Sequence, residues 1–366
     1  HWNPEEIFFK LIKKYWFEAI YTNKSYWPYG KKRDYMISNL CKEFGIEFKS
    51  FEDYLLVEPE RLKPYKVFTP YFNAWKKLPK NTDFVEIKKI DCPKIYIKPK
   101  IQSIKKLDYL PNDVWKTDFG KQRLQDFDFW NYAQNKDFLD IDGTSRLSPY
   151  IRFGILSIRH VYQKALNYTW WNAFISELAW RDFWQQIAHH FPETYYIEFQ
   201  SKRRNLNREN NVEHFNAWKE WKTGYPLIDA IMTQLKTQNR ISWRARMIVW
   251  SFLTKDLLVD RRWWEKYFRQ ILLDHDTNVN LGNWQRIASV WADPKPLRIF
   301  NPILQWQRFD RDCRYIKKWL PDLVDVPNKF LLNPFLQDFG YIKPIVNHVE
   351  MVKKAKAMYY KTDIEN

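Results

Sequence analysis

Hydrophobic and polar positions along this chain first fall into a helical pattern at Asn3-Pro4-Glu5-Glu6. This is a cap residue, a proline at the first helical position and two acids in the first turn, and Ile7, Phe8, Leu11, Ile12 and Tyr15 continue one apolar face. Glu18 to Thr22 then reads as a short buried strand. A second helix is predicted from about Tyr29 to Phe44, with Lys31, Lys32, Arg33 and Asp34 near its start, Met36, Ile37 and Leu40 on one face, and Gly45 ending it. Glu47 to Val57 reads as strand plus loop. Helix, strand, helix, strand is half of an open α/β sheet. Its first strands would precede His1, and without them the parallel sheet has a raw edge and one uncovered face. The start lacks Met and enters a helix almost at once, so the N-terminus reads as incomplete, and it is neither a signal nor a transit peptide.

From Glu58 to about Leu124 the pattern dissolves among lysines and prolines (Pro59, Pro64, Pro70, Pro79, Pro93, Pro99, Pro111), which reads as a long connection between domains. After Asp126 helical periodicity dominates, as in Ile158–Leu166, Trp171–His190, Pro226–Lys236, Ala245–Val259 and Trp263–Leu273. The expected organisation is a partial α/β domain over 1–65 (an incomplete Rossmann-like parallel sheet), a connection over 66–124, and a larger all-α domain over 125–366.

Composition narrows the partners. A net charge of +17 favours a polyanion such as nucleic acid or anionic lipid. Aromatic residues make up 19% of the chain, which suggests a ring-lined core, a stacking surface, or both. Only 8 residues are glycine, against 20 tryptophans. Cys41, Cys92 and Cys313 are too far apart for a CxxC or metal pattern, which fits a reducing, intracellular (cytoplasmic) setting. No apolar run reaches the roughly 20 residues needed to span a bilayer.

Candidate chemistry lies in a few polar blocks. DHDTNVNLGNW, Asp274 to Trp284, has two acids and three asparagines and reads as a loop after a helix. Its opening spacing resembles a calcium loop, but Val279 stands where glycine is needed and Gln285 where the closing glutamate belongs. The bland alternative is a solvated capping loop; the other is a cradle for a polar organic cofactor. DGTSRLSPY, Asp142 to Tyr150, puts hydroxyls and an arginine just before a helix, either a phosphate site or an ordinary cap. ELAWRDF, Glu177 to Phe183, places Glu177 and Trp180 on one helical face, and Glu177 with Arg181 has the spacing of a surface ion pair.

These blocks, in order with TGYPLID (Thr223–Asp229), WRARM (Trp243–Met247), SFLTKDL (Ser251–Leu257) and RIFNP (Arg298–Pro302), resemble the DNA photolyase/cryptochrome family, most closely its class I cyclobutane-pyrimidine-dimer photolyases. The resemblance covers nearly the whole chain. It implies FAD in the helical domain, with Tyr132, Thr144, Ser145, Arg146, Leu147 and Ser148 at the phosphates and Arg181 and Arg246 near flavin and diphosphate. It also implies that Arg246 could pair with Asp274, with Asp274 and Asp276 at the adenosine side and flavin ring, Asn280 at flavin N5 and Trp284 as the nearest aromatic. Glu177, Trp180, Arg244, Met247, Arg286 and Arg298 would meet a flipped dimer, and Gln305 and the basic residues after it DNA phosphates. Glu177, Asn280 and Trp284 carry the catalytic roles, and the implied chemistry is light-driven electron donation from reduced FAD. A monomer is expected. The antenna chromophore, of folate or deazaflavin type, stays open; Asn23 and Lys24 are its candidate contacts.

The sequence departs from the family regularly. Arg208, Arg240, Arg261 and Arg286 stand where the family usually has tryptophan, and Trp221, Trp264, Trp291 and Trp306 (with Trp243 and Trp250) where it has glycine or another small residue. Arg208 and Arg261 would interrupt the family's tryptophan relay for photoreduction. So regular an exchange suggests a gene read with the wrong codon table, and an intact mass matching the written sequence would sink that reading. Two rival functions remain: a cryptochrome-type light sensor, and a basic DNA-binding protein without working flavin chemistry. The chain ends soon after MVKKA (Met351–Ala355), without the tail usual in the sensors, which favours repair. Action on (6-4) photoproducts expects a histidine pair where Ser242 and Trp243 stand.

Overall fold

The computed structural model describes residues 3–364 apart from Trp16, Asn81, 83–115, 169–170, 293–296 and Gln337. Cys92 and most of the predicted connection lie outside the described residues.

The N-terminal part follows the predicted order. Helix α1 (Pro4–Lys14) starts at Asn3, whose side chain accepts from the Glu5 amide at 3.2 Å. Strand β1 (Ala19–Asn23) pairs in parallel with β2 (Glu47–Phe51), Ala19 opposite Glu47 and Asn23 opposite Phe51, and α2 (Pro28–Glu43) makes the crossover. Gly45, at φ +68°, stops α2 in the left-handed region. Strand β1 is not buried as the sequence suggested: its Tyr21, 64% exposed, stacks on Phe51 of β2, 48% exposed, because two paired strands alone have no covered centre.

The proline-rich stretch is more ordered than its composition implied. It contains α3 (Phe68–Lys77) and α4 (Thr117–Asp126). Pro70 falls in the first turn of α3, where its missing N–H costs nothing, and Tyr71 and Trp75 bury fully against the helical domain. The Trp75 indole donates to the buried Asp182 carboxylate at 3.0 Å.

The helical domain continues through α5 (Tyr132–Asn135), α6 (Ser148–Arg152), α7 (Ile158–Leu166), α8 (Trp171–His190), α9 (Val212–Lys219), α10 (Pro226–Gln238), α11 (Trp243–Ser251), α12 (Arg261–Ile271), α13 (Thr277–Ile287), α14 (Pro302–Phe309), α15 (Arg314–Trp319), α16 (Asn328–Leu332) and α17 (His348–Ile364). The predicted 245–259 helix leaves α geometry at Ser251 for a π-helical turn over Phe252–Asp256. That turn brings the Lys255 ammonium inward, to Ile287 O, Ser289 Oγ and Tyr359 Oη at 3.2, 3.1 and 3.1 Å. Helices α8 and α13 pack closely because position 282 is glycine: a Cβ there would sit 1.9 Å from Trp184 Cε3.

The departing residues are accommodated unevenly. Trp264 and Trp306 are fully buried and Trp291 nearly so, while Trp221 holds φ +51°, a conformation unfavourable for so bulky a residue. Arg208 pairs with Asp260 at 3.0 Å, and Arg261 with Glu198 at 3.3 Å and Glu265 at 3.2 Å. Guanidinium and carboxylate therefore bury together there, and an unpaired charge is avoided.

Candidate functional site

The acid-and-asparagine stretch is only half a loop. Residues 272–276 form the turn after α12, and α13 begins at Thr277, with Asp276 as its cap: Oδ1 accepts from the Asn278 and Val279 amides at 3.0 and 3.1 Å. A strong N-cap turned what reads as loop into helix. The stretch is also buried rather than solvated, Asn278 being 3% and Asn280 2% exposed.

Around it lies a cavity of about 560 Å3. Its lining includes Tyr132, Thr144, Ser145, Leu147, Ser148, Glu177, Trp180, Arg181, Arg244, Arg246, Met247, Asp274, Asp276, Asn280, Arg286 and Arg298. Blocks spread over more than 160 positions of sequence thus face one volume. Three other candidates do not line it. Arg146 turns back to Asp142 at 2.8 Å from a left-handed backbone. Trp284 is fully buried on the far side of α13, 5.2 Å from Trp264 and 6.2 Å from Trp250 between ring centroids, so it is not the aromatic in contact with the cavity. Gln305 lies apart on α14.

The charges along the wall are fixed. Arg246 Nη2 donates to both oxygens of Asp274, at 2.8 and 2.7 Å, and Ser148 Oγ donates to the same carboxylate at 2.7 Å. Burial alone would raise Asp274, but the guanidinium beside it holds the group below the usual carboxylate value. Asp276 is likewise buried yet lowered by Arg181 and Arg152, and it accepts from Gln185 at 3.0 and 3.1 Å and from the Tyr54 hydroxyl. Arg181 itself donates to Tyr54 O at 2.7 Å. Glu177 pairs with Lys136 at 3.2 Å, so the expected Glu177–Arg181 surface pair does not form.

Sequence reasoning gave no role to several lining groups: Lys136, Asp137, Arg152, Phe174, Trp184, Asn283 and Phe300. It also missed two supports. Arg123 Nη2 and Nε hold the carbonyls of Thr144 and Ser145 at 2.8 and 3.3 Å, fixing the hydroxyl-bearing loop. Tyr54 ties the N-terminal segment to the cavity floor. Arg240, noted above only as a departure, also lines the cavity; it is lowered to about 10 by burial, and its Nη2 donates to Thr144 Oγ1 at 3.1 Å. Only the helical period of Asn283 relative to Asp276 and Asn280 carried a signal for any of these.

A smaller cavity of about 210 Å3 adjoins the first and shares Trp180, Trp184, Arg286 and Arg298 with it. Phe68, from α3, stacks on Trp180, and the Arg286 guanidinium lies 4.6 Å from the same ring.

Residues 174–361 match the family model described as the FAD binding domain of DNA photolyase, and residues 1–93 that of DNA photolyase. The chain belongs to the DNA photolyase family. A curated relative from Alkalihalophilus pseudofirmus, named deoxyribodipyrimidine photo-lyase, is 36% identical and aligns over 95% of this chain and 80% of its own length. Among solved structures, the bacterial class III photolyase of Agrobacterium tumefaciens superposes with a TM-score of 0.92 at 31% identity, over 99% of this chain and 83% of its own. The archaeal photolyase of Sulfolobus tokodaii, solved with two FAD molecules, gives 0.88 at 33% identity, over 98% and 82%. The family's fold, an α/β N-terminal part before a helical FAD domain, is the fold seen here. Among the described residues no helix is long and apolar enough to cross a membrane.

The residues present fit FAD. The cavity falls in the roughly 300–1,000 Å3 range of small-molecule sites. Buried Arg181 Nη2, Arg240 Nε and Arg244 Nε on its wall have no hydrogen-bond partner among the described residues, as donors awaiting an anionic or carbonyl-bearing ligand would.

Proposed function

We propose that this chain repairs cyclobutane pyrimidine dimers in DNA by light-driven electron transfer from FAD, acting as a monomer. The observation that carries this is that a single cavity holds both a cofactor cradle and a polar, aromatic and cationic wall. Thr144, Ser145 and Ser148 would hold the diphosphate, with Arg181, Arg240 and Arg246 neutralising it. Asp274 and Asp276 would orient the adenosine side and ring edge, and Asn280 would face the reactive ring. Held by these residues, reduced FAD would supply the light-driven electron chemistry that splits a dimer.

The substrate side follows the same wall. An extruded dinucleotide would stack on Trp180 and place its polar edge against Glu177. Arg244, Arg286 and Arg298 supply positive charge at the wall, and Met247, Phe174, Leu178 and Trp184 supply apolar surface that excludes water. The +17 net charge draws in the DNA backbone, a contribution that falls steeply with salt.

The test is an absorbance spectrum of the purified protein, then blue light with dimer-containing single-stranded DNA. Bound flavin with light-dependent loss of dimers is the expected result. Flavin without repair would point to a light sensor, and failure to bind FAD would remove the reading.

A further inference from the structure

Asp274 and Asp276 flank a histidine whose imidazole does not line the cavity. His275 Nδ1 lies 2.7 Å from the Asn280 side-chain nitrogen, across the first turn of α13. Its backbone is held from both sides, the carbonyl accepting from Arg152 Nε at 2.8 Å and the amide donating to Leu272 O at 3.3 Å. Its ring lies over Trp284 with planes 28° apart and centroids 6.1 Å apart. The imidazole therefore has little freedom, and it reaches the cavity only through Asn280.

The pairing fixes chemistry at both ends. Burial lowers His275 to about 4, so the ring is neutral near pH 7 and only one of its nitrogens carries a proton. The carboxamide nitrogen faces the ring and donates, so Nδ1 accepts from it in the Nε2–H tautomer. The proton then sits on Nε2, which has Thr277 Oγ1 at 3.4 Å as a partner. With its NH2 engaged, Asn280 has its carbonyl oxygen left for a ligand, and an amide that could otherwise turn over is held one way.

We propose that His275 is a positioning residue that locks the Asn280 carboxamide with its oxygen offered to the flavin ring, as an acceptor for an N–H group of the reduced ring. This deepens the flavin reading above and depends on it. An acceptor held in place favours the reduced, N–H-bearing form over the oxidised one; an amide free to flip offers its NH2 half the time and loses that preference.

The test uses the full chain loaded with FAD, as wild type, His275→Ala and His275→Gln, together with the side-chain amide signals of Asn280 in nitrogen-15 NMR. His275→Ala is expected to shift the reduced-to-oxidised flavin equilibrium about 5-fold toward oxidised, the scale of one net hydrogen bond, and to move the Asn280 amide pair. His275→Gln, whose carbonyl can accept from the same NH2, is expected to restore both. An unchanged potential and unmoved Asn280 signals in His275→Ala would overturn the positioning role while leaving the photolyase reading intact. If the wild type takes up no FAD, both fall.

Discussion

Phe68 and Trp180 stack almost parallel, with ring centroids 3.7 Å apart and planes 6° apart. One residue comes from the stretch that composition marks as a connection and the other from the wall of the cavity. With the Arg286 guanidinium also against it, the indole proposed to receive a base is already engaged.

That engagement sets up a competition. A base stacked on an aromatic ring is worth about 1–3 kcal/mol, and an aromatic pair about 0.5–1.5 kcal/mol beyond its buried area. The base wins, but only by the difference. Phe68→Ala is expected to tighten binding of dimer-containing DNA by a few-fold, and Trp180→Ala to weaken it by a few-fold, the difference between those two stacking energies. Fluorescence titration with labelled DNA would measure both. Equal affinity in Phe68→Ala and wild type would mean that Phe68 never has to move.

The Arg246–Asp274 pair is buried, its side chains 11% and 5% exposed. Removing one partner of such a pair leaves an uncompensated charge and costs about 3–5 kcal/mol. Arg246→Ala is expected to lower the denaturant midpoint accordingly and to abolish flavin binding. The pH response should change too. Asp274 is held below its unfolded value, so its contribution is present above about pH 4 and is lost as pH falls through the folded value. Without Arg246, burial pushes the carboxyl up and the acid-side loss begins at higher pH.

Glu58 behaves in the opposite sense. Burial, with the Asp182 carboxylate nearby, pushes it up to about 7. An unfolded glutamate releases its proton near about 4.3. Between those values the folded chain keeps a proton the unfolded chain has lost, so stability contributed by this group declines as pH rises through the window. Glu58→Gln is expected to flatten that decline, gaining on the wild type at about pH 8 and not at about pH 5. Unfolding curves at the two pH values decide it; a parallel pH dependence in wild type and variant would show Glu58 ionised throughout.

The tryptophan and arginine departures predict a mass. Trp221 sits at φ +51°, where glycine is at ease. The indole nitrogens of Trp264 and Trp306, and nitrogens of Arg208, Arg240 and Arg261, are buried without a hydrogen-bond partner among the described residues. Glycine and tryptophan respectively would remove most of these orphaned donors. If the codon reading is right, the native protein is lighter than the written 45.2 kDa, since exchanging tryptophan for glycine removes far more mass than exchanging arginine for tryptophan adds. Intact mass spectrometry of protein from its natural host gives the answer directly.

The sequence by itself determined the N-terminal order of helix and strand, most of the helices after Asp126, and the family. The proline at α1, the apolar period of α8 and α10, and the glycine after α2 act locally and need no partner to be read. The motif blocks named most of the cavity wall, because each carries its chemistry in a short window. What lies around α13 was decided only in the folded chain. Whether Asp276 caps a helix or sits in a loop, whether Asn280 faces the cavity and Trp284 the core, and whether Phe68 or solvent covers Trp180 all depend on how elements far apart in sequence pack. Tyr54 reaches Asp276 and Arg123 the Thr144 loop only because folding joins distant segments, and no periodicity along the chain encodes which distant side chain fills a given gap.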